Sequence, residues 1–185
     1  MITLVLGGAR SGKSKFAQQL ASTNQTPVLY IATATALDSE MAERIAHHQQ
    51  NRPSEWRVRE SPLDLISVLL EEGNNNQAIL VDCLTLWLNN QLFHFPDQNF
   101  DLLFEKLIAA SLKCKATIIF VANEVGLGII PMGNINRKFV DEAGRLNQKV
   151  AQAANQVFFI AAGLPLILKS SQECSRILMN EIHEH

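Results

Sequence analysis

The chain is poor in cysteine, lacks any dense run of lysine and arginine, and contains no apolar stretch long enough for a membrane helix. Its 16 Lys and Arg residues are scattered over 185 positions and are slightly outnumbered by 18 Asp and Glu, for a net charge of −2. There is thus no electrostatic footprint for nucleic acid or for an anionic membrane surface. The three cysteines, Cys83, Cys114 and Cys174, lie far apart and form no C-x-x-C pair. This spacing argues against a thiolate zinc site and a disulfide framework, and it suits a reducing compartment. No apolar run approaches the about 20 residues that a spanning helix needs, and no charged stretch precedes a long apolar run at the N-terminus. The expectation is a cytoplasmic protein without a membrane span. Repeats and low-complexity linkers are also missing, so one domain is the default reading of this length, and 47% hydrophobic residues supply a sizeable core.

Short β-branched runs alternate with longer periodic segments, the pattern of strands and crossover helices in a parallel α/β sheet. "MITLVLGG", "PVLYIATA", "QAILVDCLT" and "ATIIFVANEVG" read as strands, the last running into a loop. "KSKFAQQLAS", "DSEMAERIAHHQQN", "PLDLISVLLEEG", "FDLLFEKLIAASLKC" and "FVDEAGRLNQKVAQAAN" read as helices. Asp38 is a plausible cap for the second of these, since a short acidic side chain accepts from the free amides of a first turn. "QVFFIAAGLPLILK" closes the core as two short strands around Gly163 and Pro165, and "EEGNNNQ" is a polar turn. The domain is expected to span residues 1–169, followed by a tail at 170–185 that is a short exposed helix or a frayed end.

The chemistry begins in the opening strand. "GGARSGKS", Gly7, Gly8, Ala9, Arg10, Ser11, Gly12, Lys13 and Ser14, fits the pattern G-x-x-x-x-G-K-[ST] with an apolar strand before it and a helix former after it. The glycines let the backbone curl so that several N–H groups face one anion, and the following helix adds its positive end. Lys13 is then placed to reach the β- and γ-phosphates of a nucleoside triphosphate, and the Ser14 hydroxyl to ligate Mg²⁺. Asp82 ends the apolar strand "AILVD" at the Walker-B position, where a carboxylate can hold Mg²⁺ through its water shell. The competing reading of Asp82 is a turn or a helix cap.

On the helix expected around residues 38–51, Met41, Ala42, Ile45 and Ala46 share one face, whereas Glu40, Arg44, His47, His48 and Asn51 share the other. Adjacent histidines point about 100° apart on a helix, which disfavours a shared metal. Two readings remain from the residues themselves: a solvated polar face, or an imidazole that attacks phosphorus to give a phosphoramidate.

"GGARSGKS", "YIATA", "RIAHHQQNRPSEWRVRE", "VDCLTLWLNN", "NEVGLGIIP" and "DEAGRLNQKVAQAANQV", in this order, resemble the bifunctional adenosylcobinamide kinase / adenosylcobinamide-phosphate guanylyltransferase family of cobalamin biosynthesis. The resemblance covers residues 1 to about 169. It implies an α/β fold of the P-loop NTPase (RecA-like) kind, a mostly parallel sheet flanked by helices in a single domain. It also implies two reactions: phosphorylation of adenosylcobinamide by ATP or GTP, then transfer of GMP from GTP, through a guanylylated histidine, onto adenosylcobinamide phosphate. His47, the first histidine of "RIAHHQ", falls on the family's nucleophile. His48, Gln49, Gln50, Asn51, Glu60 and Thr33, Ala34 and Thr35 match positions used around GTP, and Asp82 falls where the family carries an acidic residue. A carboxylate at Glu60 could accept from both N1–H and the 2-amino group of guanine, donors that adenine lacks; it could equally be a surface acid.

Asn123 and Glu124 of "NEVG" follow a strand at the edge where open α/β sheets bind ligands, and are candidate contacts to nucleotide or corrinoid. A corrinoid is far larger than a nucleotide and the chain has no evident second lobe, so a cleft between subunits is expected, in the homotrimer that the resemblance implies. Exposed apolar residues of "LTLWLNNQLF" are candidates for that contact; the alternative is ordinary helix core. Two other functions compete. One is a single-activity P-loop small-molecule kinase, with the histidines on the surface; the other is a nucleotide-dependent switch or motor, for which Arg137 or Arg145 would have to act as an arginine finger.

Overall fold

The structure, a computed structural model, describes residues 1–23, 26–35, 53–128 and 132–170. Asp38, Glu40 to Asn51, the proposed nucleophile His47 included, and the tail from residue 171 lie outside the described residues.

Seven strands form one sheet: β1 (Ile2–Gly7), β2 (Val28–Ala32), β3 (Arg57–Glu60), β4 (Ala78–Asp82), β5 (Thr117–Asn123), β6 (Gln156–Ala161) and β7 (Leu164–Lys169). Their spatial order is β3-β2-β4-β5-β1-β6-β7. All neighbours pair in parallel except β6 and β7, which form an antiparallel hairpin. The helices among the described residues are α1 (Lys13–Thr23), α2 (Leu65–Glu72), α3 (Leu84–His94), α4 (Phe100–Lys113) and α5 (Asn134–Ala153). None is long and apolar enough to cross a membrane.

A parallel sheet is covered on both faces, which is why β1 and β5 read as nearly unbroken apolar runs. Alternate residues feed two cores. On one face Leu4, Leu6, Ile79, Val81, Ile118 and Phe120 meet Leu65, Trp87, Phe104, Leu146 and Val150 from α2 to α5. On the other, Val5, Tyr30, Leu80, Ile119 and Val121 meet Ala17 and Ala21 of α1, together with Trp56. The small Ala17 and Ala21 let α1 lie close against the strands.

Two elements depart from the sequence reading. β3 was not anticipated, because "RVRE" is charged and short; it adds to the sheet edge beside β2, and Arg57 and Arg59 are held by Glu72 and Glu71 of α2 at 2.7 Å each. α5 starts at Asn134 rather than Phe139, its first turn after Gly133 being exposed, Ile135 included. In α3, Leu84, Trp87 and Leu88 are fully buried within the chain and belong to its core; Phe93 is the large apolar residue of that segment left facing outward. At the far end of α5, Lys169 Nζ donates to the carbonyls of Ala151 at 3.1 Å and Gln152 at 2.9 Å, satisfying two of the acceptors that a helix end leaves open.

Candidate functional site

Three side-chain positions converge because the strand period is two. Residues 5, 80 and 121 lie on the α1 face, so Gly7, Asp82 and Asn123, two residues further along their strands, lie on it as well. All three end their strands at the same sheet edge, since Gly7 pairs with Asn123 and Asp82 with Val121. β5 separates β1 from β4, so Asp82 stands two strand spacings, about 10 Å, from the strand that carries the loop. That gap is wide enough for a phosphate and a hydrated cation. Glu60 pairs with Ala32 and shares their face, but lies at the outer edge, four strands from β1, or about 19 Å.

The loop at residues 8–12 is braced from both sides. A Cβ on Gly7 would lie 2.5 Å from Ser11 Oγ and 2.6 Å from the Ile160 carbonyl, so the turn closes only around a glycine. Gly12 has φ +97°, and a Cβ there would meet Gly163 Cα at 3.2 Å. The tip of the β6–β7 hairpin thus presses on the loop, and the Gly163 N–H donates to the Ser11 carbonyl at 2.8 Å. On the other side the Glu124 N–H donates to the Gly7 carbonyl at 3.1 Å. Arg10 projects from the loop with φ 55° and is exposed, as is Ala9.

Lys13 opens α1, and its Nζ donates to the Gly8 carbonyl at 3.1 Å, so the ammonium lies along the loop. The first turn of α1 carries no acidic side chain, which leaves its positive end for an anion. Ser14, half-buried, follows in the same turn.

Opposite the loop, Tyr30, which the sequence reading did not single out, donates its hydroxyl to Asp82 Oδ2 at 3.0 Å. The signal for it was a lone hydroxyl within the apolar strand β2. Thr33 is fully buried and holds the chain that leaves Asp82: its hydroxyl donates to the Cys83 carbonyl at 2.7 Å and accepts from the Cys83 N–H at 2.8 Å. Asn90 Nδ2 donates to the Thr33 carbonyl at 2.8 Å. The Thr33 side chain is therefore committed to the protein, whereas Ala34 is half-buried and Thr35 exposed. Burial, and then the charge of Asp82, push the Cys83 thiol up to about 11, so at neutral pH it is a protonated packing group and not a nucleophile. His48, Gln49, Gln50 and Asn51 have no described position. Arg145 pairs with Glu142 at 2.9 Å and Arg137 bonds Asn134, both within α5.

Thr33→Val keeps the shape and removes the hydroxyl, leaving the buried Cys83 N–H without an acceptor. The expected loss is about 1–3 kcal/mol of unfolding free energy, read by chemical denaturation. An unchanged midpoint would mean that the Asp82–Cys83 segment is not held by this side chain.

Residues 3–168 match the sequence model of a family described as cobinamide kinase / cobinamide phosphate guanyltransferase. The bifunctional adenosylcobalamin biosynthesis protein CobP of Pseudomonas aeruginosa is 47% identical over 169 residues, covering 91% of this chain and 98% of the relative. The corresponding protein CobU of Escherichia coli is 41% identical over 182 residues, covering 91% of this chain and all of the relative (100%). Among solved structures, the RadB recombinase superposes with a TM-score of 0.51 at 13% identity, over 85% of this chain and 73% of that one. A Pyrococcus horikoshii protein, PH0250, gives 0.53 at 11% identity, over 91% and 86%. At such identities these two likenesses speak for the fold alone. The RadB match agrees with the P-loop, RecA-like reading of the sheet.

Proposed function

The chain belongs to the cobinamide kinase / cobinamide phosphate guanyltransferase family, and from that membership we propose how one phosphate loop serves two reactions. The enzyme is a bifunctional transferase of cobalamin biosynthesis: it phosphorylates adenosylcobinamide, then transfers GMP from GTP to the resulting phosphate to give adenosylcobinamide-GDP.

The observation that carries the assignment of roles is the shared face and edge of the loop after β1 and of Asp82 on β4, with β5 between them. In the first reaction the acceptor hydroxyl attacks the γ-phosphorus of ATP or GTP and the nucleoside diphosphate leaves. Lys13 and the loop amides oppose the charge that develops on the phosphate oxygens, and the closed turn fixes the triphosphate in line. In the second reaction the His47 imidazole attacks the α-phosphorus of GTP and pyrophosphate leaves, forming an N–P bond. An oxygen of the cobinamide phosphate then attacks that phosphorus, the N–P bond breaks and the imidazole is released.

Among the described residues no three His, Cys, Asp or Glu side chains converge on a metal. One hydroxyl, Ser14, and one carboxylate, Asp82, form the sparse oxygen set that suits Mg²⁺, an ion that keeps several of its waters. Tyr30 already occupies Oδ2 of Asp82, which orients the carboxylate and leaves its other oxygen for the ion's shell. When bound, Mg²⁺ would neutralise the phosphate charge and steady the leaving group.

Residues 1–169 are the transferase domain in this reading, the tail from 170 lying outside it, and the enzyme works in the cytoplasm as a homotrimer whose subunit clefts take the corrinoid. The size of the corrinoid against a single sheet supports the last point. The overall reading is tested by supplying adenosylcobinamide and GTP labelled on the α- or the γ-phosphate: both labels should enter the corrinoid product, with pyrophosphate released. Incorporation of the γ-label alone would leave a simple kinase.

Glu60, exposed at the end of β3, is the carboxylate that in this reading accepts from the guanine edge. Glu60→Gln exchanges an acceptor-only carboxylate for an amide that must present a donor on one side. A charge-assisted bond contributes about 1.5–3 kcal/mol, so the preference for GTP over ATP in guanylyl transfer should fall by roughly 10- to 100-fold. An unchanged preference would make Glu60 a surface acid.

A further inference from the structure

We propose that Asn123 is a positioning residue for the metal of the phosphate site, its side-chain oxygen accepting a hydrogen bond from a water of the bound Mg²⁺. The inference rests on the role given above to Ser14, Asp82 and Mg²⁺. Asn123 Oδ1 is buried and meets no hydrogen-bond partner among the described residues. A buried acceptor without a donor is costly and uncommon, and it points to a donor that arrives with a ligand.

The residue sits at the centre of the site. β5 runs between the loop strand β1 and the Asp82 strand β4, Asn123 is its last residue, and its side chain shares the α1 face with Asp82. Its main chain is fixed from both sides. The N–H donates to Thr85 Oγ1 at 2.7 Å, and the carbonyl accepts from Asn147 Nδ2 at 3.4 Å. Thr85 and Asn147 are themselves buried. The next N–H, that of Glu124, is tied to the Gly7 carbonyl at 3.1 Å. The carboxamide is thereby held at the level of the loop.

The chemistry of the free atom selects its partner. Phosphate oxygens are acceptors and would repel Oδ1, whereas a water polarised by a divalent cation is a strong donor. A neutral amide can accept from such a water without displacing it, which suits an ion that sheds its waters reluctantly. A hydroxyl of the acceptor substrate is another donor, and the test separates it from metal-bound water because it needs no metal.

Mn²⁺ replaces Mg²⁺ in the test, and free Mn²⁺ is followed by electron paramagnetic resonance in the full-length protein saturated with a GTP analogue carrying a β,γ-imido bridge. Asn123→Ala should weaken Mn²⁺ binding to the nucleotide complex by about 10- to 100-fold, the usual effect of removing a group that orients a metal's ligands. Affinity for the analogue in EDTA should stay unchanged, and excess Mg²⁺ should restore much of the kcat of phosphoryl transfer. Asn123→Asp, nearly identical in shape and a stronger acceptor, should bind Mn²⁺ at least as tightly as the wild type, which also guards against a folding defect in the alanine variant. Equal Mn²⁺ affinity in Asn123→Ala and wild type would overturn the proposal, and a raised KM for the corrinoid in that case would assign Asn123 to the acceptor hydroxyl. Wild-type protein that fails to bind Mn²⁺ with the analogue would overturn the metal site itself.

Discussion

Lys13→Ala should abolish phosphoryl transfer and guanylyl transfer together. Its ammonium lies along the loop, held by the Gly8 carbonyl at 3.1 Å, at the first residue of α1. In the proposed mechanism both reactions need the same triphosphate steadied there: one breaks its bond at the γ-phosphorus, the other at the α-phosphorus, and in each the leaving phosphates gain charge. Loss of one preorganised donor to such charge costs about 10²–10³-fold, and here the donor is also a full cation. Nucleotide binding should fall as well, because charge-assisted contacts to phosphate act in the ground state too. The measurement is transfer of α- and γ-label to adenosylcobinamide by the variant. Normal guanylyl transfer by Lys13→Ala would show that the two reactions use separate nucleotide sites.

His47→Ala should divide the two reactions that Lys13→Ala removes together. With GTP labelled on the α-phosphate, the wild-type protein should keep a covalent label under denaturing conditions and release pyrophosphate. The adduct should be acid-labile and comparatively stable to alkali, as an N–P bond is and a phosphoester is not. His47→Ala should lose the label entirely, whereas His48→Ala should keep at least part of it. Phosphorylation of adenosylcobinamide should survive His47→Ala, since in the proposed mechanism γ-transfer relies on Lys13, Ser14 and Asp82. Label from the γ-phosphate should not accumulate on the enzyme. Wild-type protein that binds GTP yet never traps the α-label would remove the histidine from the mechanism.

The phosphate loop was legible in the sequence because its constraints are local: Gly7 and Gly12 are required by contacts and a dihedral angle within a few residues, and Lys13 and Ser14 follow at fixed offsets. Asp82 was legible as the first charged residue after an apolar run. What could not be read is lateral order. Nothing in "TIIFVAN" says that β5 lies between β1 and β4, although that placement sets the gap between loop and carboxylate. Tyr30 and the bonding partner of Thr33 escaped for the same reason: Asp82 and Cys83 are some fifty positions away from them and become neighbours only through pairing of β2 with β4. β3 escaped because four charged and branched residues carry no periodic signal, and what they meet, the β2 edge and Glu71 and Glu72 on a separate helix, lies far from them in sequence. Thr33, matched to nucleotide by its place in a motif, has its side chain bonded to the backbone of Cys83, just after Asp82.

The strand that leads into the phosphate loop is the first to be synthesised and among the last that can be paired. β1 lies against β5 and β6, and its Ile2 N–H donates to Asn155 Oδ1, 153 positions away. Strands β2, β3 and β4 can meet one another once residue 82 has been made, but β1 has no neighbour until the chain has grown past residue 117, and no second one until past 156. On a ribosome adding about 5–20 residues per second, the apolar "ITLVLG" therefore waits for several seconds with both edges open. Such long-range parallel pairing is slow to form and prone to aggregation in the interval. A nascent chain stalled before β6 should carry the complete loop sequence and no nucleotide-binding loop, so competence to bind GTP arrives abruptly, near the end of synthesis, and not gradually along it.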